Sequence, residues 1–363
     1  MKKRLRVAIL FGGKSAEHEI SLLSAKNIVE AIDRKKYEVV LIGIDKKGKW
    51  YFSDDPRLLQ QGDRPKPIRF DRERNALALI PGNKAKQWLR LSTRRADKPV
   101  DVVFPVLHGT FGEDGTVQGL LKMADIPFVG AGVLGSAVGM DKDVMKRLLR
   151  DAGIPIARFL PARRLERIDF ATAERELGLP LFVKPANCGS SVGIHKVSNG
   201  SQFAAAVEDA FRYDEKILLE EYIEGREIEC SVLGNDEPIA SVPGEIITRH
   251  EFYSYEAKYL DEKGAALEVP AELPAGLVEE IQRLAVKTFK TLCCEGMARV
   301  DFFLRGQSEI IVNEINTIPG FTKISMYPKM WEASGISYAE LIDRLIQLAL
   351  ERFHKEKNLR TSV

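Results

Sequence analysis

The chain has 363 residues, of which 45% are hydrophobic and 29% are charged, and its formal net charge at pH 7 is +2. This length exceeds the size at which one hydrophobic core keeps growing, so we expect two or three packed modules. The composition excludes a disordered chain, and the small basic excess excludes a strong nucleic-acid or anionic-membrane binder, which leaves a small-molecule substrate.

The N-terminal part, residues 1–138, predicts an α/β domain with a parallel sheet. The segment RLRVAILFGG predicts a buried strand that ends in two glycines, and SAEHEISLLSAKNIVEAID has apolar residues at helical spacing. VVLIGID and VDVVFPVLHG predict two more strands, each followed by a glycine-containing turn, as in a sheet fed by crossovers. The polar stretch from about Ser53 to Lys98 predicts an edge hairpin or a surface insertion.

Two modules of the α+β type are predicted to follow, over residues 139–225 and 226–363. The first begins with the basic amphipathic helix GMDKDVMKRLLRDAG and continues with the strands FLPAR, LPLFVKPAN and KILLEEYI. The second alternates strands with a long helix near Gly276 to Leu292 and ends in the helix SYAELIDRLIQLALERFHKE. No dinucleotide-type glycine fingerprint opens the first helix of the chain, which disfavours a dehydrogenase.

The strands ARVDFFL and EIIVNEIN, joined by the turn RGQS, predict a hairpin that carries a metal site. Side chains alternate along a strand, so Arg299 and Asp301 share one face, as do Glu314 and Asn316. Such oxygens are hard ligands suited to Mg²⁺, which also accepts substrate phosphates. The alternative, an exposed strand face, is disfavoured because the apolar flanks indicate burial, where charges need partners.

A glycine- and serine-rich loop and several lysines predict a phosphate site. The loop KPANCGSSVGI begins at Lys184, and its backbone N–H groups can cradle a phosphate. Lys142 and Lys258 supply two further cations, which can divide the charge of a triphosphate with a metal ion. Glu220 and Glu227 flank an apolar run that can form a purine slot, although a strand with exposed glutamates explains this segment equally well.

Two candidate residues of the N-terminal domain have ordinary structural alternatives. LHGTFGEDG places His108 at the carboxyl end of a strand, where open α/β sheets bind ligands, but a lone histidine is more often structural. Glu17 stands at the start of the first helix, where capping is the alternative role. The Pro-Gly turn in TIPGFTKIS offers amides and hydroxyls that can hold an anionic oxygen.

Cysteine usage and hydropathy favour a cytoplasmic location. The four cysteines lack metal-ligand spacing, and the adjacent pair Cys293 and Cys294 is a poor disulfide. The first apolar run, Val7 to Phe11, is too short for a signal peptide, and no stretch approaches the ~20 apolar residues of a membrane span.

Eight motifs, in the same order, resemble the D-alanine–D-alanine ligases from about residue 5 to the final helix. They are FGGKSAEHEISL, LHGTFGEDGTVQGLL, GMDKDVMKRLL, LFVKPANCGSSVGI, EEYIEGREIE, FYSYEAKY, MARVDFFL and NEINTIPGFTKIS. The resemblance implies an ATP-grasp fold behind the N-terminal α/β domain. It also implies ATP-dependent synthesis of D-alanyl-D-alanine through D-alanyl phosphate, for peptidoglycan precursor synthesis, by a cytoplasmic enzyme that is expected to be a homodimer.

The resemblance implies a role for each matching residue. The implied ligands of two Mg²⁺ or Mn²⁺ ions are Asp301, Glu314 and Asn316. The implied ATP contacts are Lys142, Lys184, Glu220, Ile223, Glu227 and Lys258. The implied contacts of the two D-alanine molecules and of the reacting oxygens are Glu17, His108, Arg299, Gly320 and Ser325. Ser190 and Tyr259 are implied to join Glu17 in a hydrogen-bonded triad, and residues 249–264 to form a mobile lid.

Cys188 and Lys323 depart from the residues usual in the family, but neither is implied to touch a reacting atom.

A D-alanine–D-lactate ligase is the alternative within the class. Tyr259 argues against it, because the depsipeptide-forming relatives resemble this sequence less at FYSYEAKY. A nucleotide-binding regulator needs the lysines but not all three metal ligands, so their joint presence favours an enzyme.

Overall fold

The structure is a computed structural model that describes residues 4–53, 59, 76–82, 87–166, 169–190, 192–248 and 265–360. Its strands are β1 Leu5–Gly12, β2 Tyr37–Ile44, β3 Trp50–Ser53, β4 Leu77–Leu79, β5 Trp88–Arg90, β6 Arg95–Ala96, β7 Val102–Val106, β8 Phe159–Arg163, β9 Leu181–Pro185, β10 His195–Val197, β11 Lys216–Glu221, β12 Arg226–Gly234, β13 Ile239–Ala240, β14 Gly244–Thr248, β15 Ala265–Glu268, β16 Gly296–Arg305 and β17 Glu309–Asn316. Its helices are α1 His18–Ala31, α2 Thr116–Met123, α3 Val133–Met140, α4 Lys142–Asp151, α5 Phe170–Leu177, α6 Gly200–Ala210, α7 Ala275–Thr291, α8 Met326–Ala333 and α9 Tyr338–Lys357.

The first sheet has the strand order β3-β2-β1-β7. Strand β1 pairs in parallel with β2 and β7, and β3 adds an antiparallel edge. Strand β1 is buried on both faces, which explains its nearly continuous apolar sequence. The prediction of a parallel α/β sheet is confirmed. The described part of the predicted insertion forms a small antiparallel sheet, β4-β5-β6, whose Trp88 is fully buried in the core of this domain.

The core on one face of the first sheet draws on both ends of the chain. Phe11 and Phe104 pack with α1 on this face, and they share one cluster with Trp331 of α8 and Leu345 of α9. The last two helices therefore support the N-terminal sheet. The division of the chain at residues 138 and 225 stays a prediction.

Two mostly antiparallel sheets follow, in agreement with the predicted α+β modules. The second sheet has the order β10-β9-β11-β8, and α5 and α6 supply Leu177 and Phe203 to its core. The third has the path β15-β14-β12-β16-β17, and α4 and α7 supply Leu149 and Ile281 to its core. Asp141 caps α4 by accepting hydrogen bonds from the backbone amides of residues 143 and 144.

None of the helices in the described ranges is both long and apolar enough to cross a membrane. The longest of them, α9, carries charged residues along its length and buries one face against the first sheet. Its apolar residues are thus accounted for by packing within the chain.

Candidate active site

The predicted metal ligands lie on the hairpin β16–β17. Asp301 stands opposite Glu314, and Arg299 stands opposite Asn316, so all four side chains lie on neighbouring positions of one sheet. A β-bulge between Asp301 and Phe302 shifts the register beside the first pair. The predicted hairpin is confirmed, and it brings two carboxylates and one amide together.

The oxygen donors of this hairpin fit a divalent cation. Asn316 Oδ1 is buried and accepts no hydrogen bond from any described residue. An acceptor in that position needs a donor or a cation. No group of three His, Cys, Asp or Glu side chains with metal-site spacing occurs in the described part of the chain. A cation here would therefore depend on two carboxylates, one amide oxygen and oxygens from outside the protein, as suits Mg²⁺.

Arg299 is held between two carboxylates. Its Nε and Nη2 each donate to Asp301 at 2.7 Å, and Nε lies 3.0 Å from Oε2 of the buried Glu229. Burial by itself lowers the pKa of Arg299, but Asp301 and Glu229 raise it well above its usual value. The guanidinium is therefore a permanent, fixed positive charge beside the hairpin oxygens.

Two predicted lysines approach the same region, Lys184 from strand β9 of the second sheet and Lys142 from helix α4. Lys142 Nζ lies 3.5 Å from Glu314 Oε2 and donates to the carbonyl oxygen of Cys188 at 2.8 Å. Lys184 forms an ion pair with Glu220, which forms a second ion pair with the fully buried Lys146. Burial, together with the charges of Lys146 and Lys142, lowers the pKa of Lys184 well below its usual value. This crowding of cations suits a site that binds a polyanion.

The other predicted ATP contacts in the described ranges have different surroundings. Ile223 is buried against Ala157 and Ile311. Glu227 is half-buried on β12, next to Ile246 of β14. Lys258 and Tyr259, and the predicted lid over 249–264, lie outside the described residues.

Glu17 directs its side chain away from the helix that it precedes. It occupies the N-cap position of α1, but its carboxylate makes no capping hydrogen bond. Instead, the hydroxyl of Ser190 donates to Glu17 Oε1, which joins the first domain to the glycine- and serine-rich loop. The capping alternative is thus wrong for the side chain, and two members of the predicted triad are in contact.

His108 is buried, and each of its ring nitrogens has a partner. Nδ1 lies 3.0 Å from the carbonyl oxygen of Ile318, and Nε2 lies 3.2 Å from the hydroxyl of Ser24. Because a carbonyl oxygen can only accept, Nδ1 carries the proton and Nε2 is the acceptor. Burial lowers the pKa of His108, in agreement with a neutral ring.

The loop after β17 places Gly320 against Ser325. A Cβ added to Gly320 would lie 2.7 Å from the Ser325 hydroxyl oxygen, so a glycine is needed here. The same oxygen accepts from the Thr322 amide at 3.0 Å and lies 2.8 Å from Thr322 Oγ1. These contacts fix the hydroxyl at the N-terminus of α8.

A cavity of about 500 Å³ joins these groups. The predicted residues that line it are Glu17, His108, Lys142, Ser190, Arg299, Glu314, Asn316, Gly320 and Ser325. The predicted and described residues outside this lining are Lys184, Glu220, Ile223, Glu227 and Asp301. Residues that are distant in sequence, from three sheets, thus meet around one space.

Three further buried charged residues next to the site were not predicted. Glu229 follows Glu227 by two positions on β12, so alternation along the strand could have indicated it. Lys146 follows Lys142 by one helical turn, which also places both on one face. Glu113 lies in a loop, where no periodic pattern could indicate its burial.

Comparisons with known proteins agree over the whole chain. Residues 6–131 match the family described as "D-ala D-ala ligase N-terminus", and residues 148–347 match "D-ala D-ala ligase C-terminus". The chain is 56% identical over 364 residues to a D-alanine–D-alanine ligase of Oceanobacillus iheyensis, covering 100% of this chain and 99% of the relative.

Solved structures give the same result. The D-alanine–D-alanine ligase of Coxiella burnetii superposes with a TM-score of 0.88 at 42% identity, covering 98% of this chain and 96% of that one. A D-alanine–D-alanine ligase of Bacillus anthracis complexed with ATP gives a TM-score of 0.74 at 29% identity, covering 97% and 99%. With both family regions matched and the sheet order, hairpin and cavity in place, the chain belongs to the D-alanine–D-alanine ligase family and has its ATP-grasp fold.

Proposed function

We propose that this protein joins two D-alanine molecules to D-alanyl-D-alanine through D-alanyl phosphate, with conversion of ATP to ADP and phosphate. The observation that carries the proposal is the single cavity in which Glu17, Arg299 and two oxygen donors of the hairpin β16–β17, Glu314 and Asn316, face one another. A carboxylate for an ammonium group, a fixed guanidinium and a cation site are the groups that an amino-acid ligase of this kind requires. Membership of the family supports the same reaction.

In the first step, the carboxylate of one D-alanine attacks the γ-phosphorus of ATP, and ADP leaves. Glu17 binds the ammonium group of this D-alanine, and Ser190 holds the Glu17 carboxylate in place. Arg299 lies beside the developing acyl phosphate, where Asp301 and Glu229 keep its guanidinium oriented. Fixed charges of this kind stabilise a transition state without reorganisation.

Asp301, Glu314 and Asn316 would hold one or two Mg²⁺ or Mn²⁺ ions. Asp301 binds Arg299 with both carboxylate oxygens, and a carboxylate oxygen can bind a cation while it accepts a hydrogen bond. Such ions neutralise charge on the phosphates during phosphoryl transfer. Lys142 adds a positive charge next to Glu314. Lys184 and Lys146, which both pair with Glu220, add two further basic side chains.

The nucleotide contacts are proposed at the residues that the family resemblance implies. Lys142, Lys184 and Lys258 would face the phosphates, whereas Glu220, Ile223 and Glu227 would line the adenosine site. Ile223 contributes a buried apolar surface, as a purine slot needs. Tyr259 would join Glu17 and Ser190 in the triad.

In the second step, the neutral amine of the second D-alanine attacks the acyl carbon and forms a C–N bond. The nitrogen loses one proton, the C–O bond to phosphate breaks, and phosphate leaves. The carboxylate of this D-alanine is proposed to bind the Ser325 hydroxyl, which Thr322 fixes at the start of α8. The Gly320 amide and Arg299 would stabilise the oxyanion of the tetrahedral intermediate. His108 lines the first D-alanine site as a neutral ring.

A coupled ADP-release assay with D- and L-amino acids, D-lactate included, tests the proposal. We expect ADP release with D-alanine and a product with the mass of D-alanyl-D-alanine. Release with L-alanine alone, or D-alanyl-D-lactate as the main product from a mixture, would contradict it.

We further propose that the protein acts as a homodimer in the cytoplasm, in peptidoglycan precursor synthesis. Helices α2 and α3 pack together and expose Leu120, Met123 and Leu134, a surface that a second copy would cover. Light scattering on the protein and on Met123→Glu tests this. A wild-type mass equal to the chain mass would refute the dimer.

A further inference from the structure

The loop 317–322 follows the proposed metal ligand Asn316 and carries Gly320. Three polar side chains of the N-terminal domain, Ser24, His108 and Glu113, bind its backbone, and all three are buried. We call these three side chains the backbone clamp. Their contacts join parts of the chain that are more than 200 residues apart in sequence.

Glu113 uses its two carboxyl oxygens to join two loops. Oε2 accepts from the Gly109 amide at 2.6 Å, and Oε1 accepts from the Ile318 amide at 3.1 Å. The carbonyl oxygen of Ile318 in turn accepts from His108 Nδ1 at 3.0 Å. Both backbone polar groups of Ile318, its N–H and its C=O, are therefore bound by side chains of the N-terminal domain.

Ser24 extends these contacts to Phe321. Its hydroxyl oxygen accepts from the Phe321 amide at 3.2 Å, and because His108 Nε2 is an acceptor, the hydroxyl hydrogen points to His108. Each donor and each acceptor in the chain Phe321–Ser24–His108–Ile318 thus has a defined partner. Gly320 lies between the two residues that are held.

The same clamp also borders the site of Glu17. Gly109, which donates to Glu113, has a φ of +74°, and a Cβ added to it would lie 2.8 Å from Glu17 Oε2. The Glu17 carboxylate therefore occupies the space that Gly109 leaves open. One carboxyl group, that of Glu113, thus connects the backbone around Glu17 to the backbone around Gly320.

We propose that Glu113 and Ser24 are positioning residues of the ligase reaction, which act with His108 to hold loop 317–322 at a fixed distance from Glu17. This proposal rests on the proposed function. The Glu17 side would bind the ammonium group of the first D-alanine, and the Gly320 amide would face its acyl oxygen. The clamp therefore sets the separation of two groups that must bind opposite ends of one small substrate.

Burial makes the clamp sensitive to single substitutions. Glu113→Gln keeps the side-chain volume but replaces one acceptor oxygen by an NH₂ group, which faces a backbone N–H. Ser24→Ala leaves the Phe321 amide and His108 Nε2 without a partner. An unsatisfied buried group of this kind displaces its neighbours, and small displacements reduce catalysis strongly.

The test measures kcat and KM for D-alanine and for ATP in Glu113→Gln, Ser24→Ala and the control Asp101→Asn. Asp101 also accepts a backbone hydrogen bond in this domain, from the Arg6 amide at 2.6 Å. We expect kcat/KM for D-alanine to fall about 10- to 100-fold in both clamp variants, with KM for ATP within about twofold of wild type. The control should keep wild-type values.

Amide hydrogen exchange of loop 317–322 gives a readout that does not need activity. We expect faster exchange at Ile318 in Glu113→Gln and at Phe321 in Ser24→Ala, with melting temperatures close to that of Asp101→Asn. Wild-type exchange and wild-type kinetics in folded Ser24→Ala would overturn the proposed role of the clamp. Equal losses of kcat/KM for D-alanine and for ATP would also overturn it. If the wild-type enzyme makes no D-alanyl-D-alanine, the proposed function fails, whereas unchanged exchange in the variants refutes the clamp alone.

Discussion

The hairpin β16–β17 and the Glu17 side of the cavity are held in the same site by different kinds of contact. The hairpin places Arg299, Asp301, Glu314 and Asn316 together through the pairing of two strands that are adjacent in sequence. The Glu17 side depends on contacts between distant segments, such as that from Ser190 to Glu17. Local alternation therefore determines one half of the site, and tertiary packing determines the other.

This difference predicts different responses to substitution. On the hairpin, a change of ligand removes chemistry but leaves the strands paired, since the backbone hydrogen bonds do not depend on it. On the Glu17 side, a change of one backbone contact alters the distance between substrate-binding groups. The following variants test that contrast, from the largest expected effect to the smallest.

Asp301→Asn and Glu314→Gln should each lower kcat at least about 1,000-fold. Each substitution removes a ligand of ions that would stabilise the charge of the transition state by several kcal/mol. Glu309→Gln is the matched control, since Glu309 lies on the same strand β17 but is exposed. Steady-state kinetics at saturating Mg²⁺ measures the effect. Near-normal turnover in both ligand variants would refute the proposed metal site.

Gly109→Ala should lower kcat/KM for D-alanine about 100-fold, because the new methyl group would meet the Glu17 carboxylate at 2.8 Å. Gly306→Ala is the matched control, since Gly306 also has a positive φ, +61°, but no atom lies within 4 Å of an added Cβ. Both variants carry similar backbone strain. If both lose activity equally, strain rather than contact with Glu17 explains the loss.

Lys146→Met should raise KM for ATP about tenfold with a smaller effect on KM for D-alanine. Glu220 pairs with both Lys146 and Lys184, so loss of one partner shifts the other within the proposed phosphate site. Lys287→Met is a suitable control, because Lys287 is also part-buried and donates to the carbonyl oxygen of Ala152 at 2.7 Å. Nucleotide titration by calorimetry checks the result, and an unchanged affinity would show that Lys146 has no influence on Lys184.

The smallest effect concerns pH and stability. Burial, together with the negative charge of Glu17, raises the pKa of Glu113 to about 8, although the two amide donors and Arg299 oppose the shift. A carboxyl group with a raised pKa binds more protons in the folded state, so its stabilising contribution is lost as pH rises from about 4.5 to about 8.

The free energy of unfolding of wild type should therefore fall, relative to that of Glu113→Gln, between pH 5.5 and 7.5, by at most about 1.4 kcal/mol per pH unit. Urea unfolding at several pH values measures this difference. Parallel pH curves for the two proteins would contradict the raised pKa.

The same contrast explains what the sequence could predict. Alternation, helical spacing and turn residues predicted the parallel sheet, the amphipathic α4 and the hairpin, since each depends on neighbouring residues. The family resemblance supplied Ser190 as a partner of Glu17. Neither the pattern nor the resemblance indicated the clamp residues Ser24 and Glu113, because the amides of loop 317–322 that they bind lie more than 200 residues away in sequence. Pairing of that kind leaves no side-chain signature in the sequence.

The transfer of oxygen from D-alanine to phosphate tests the central claim most directly. Attack by the D-alanine carboxylate on ATP and later loss of phosphate from the acyl carbon must carry one carboxylate oxygen into the released phosphate. With D-alanine labelled with ¹⁸O in its carboxylate, we predict that the phosphate formed with each D-alanyl-D-alanine contains one ¹⁸O atom by mass spectrometry. Dipeptide formation with unlabelled phosphate would contradict the acyl-phosphate route.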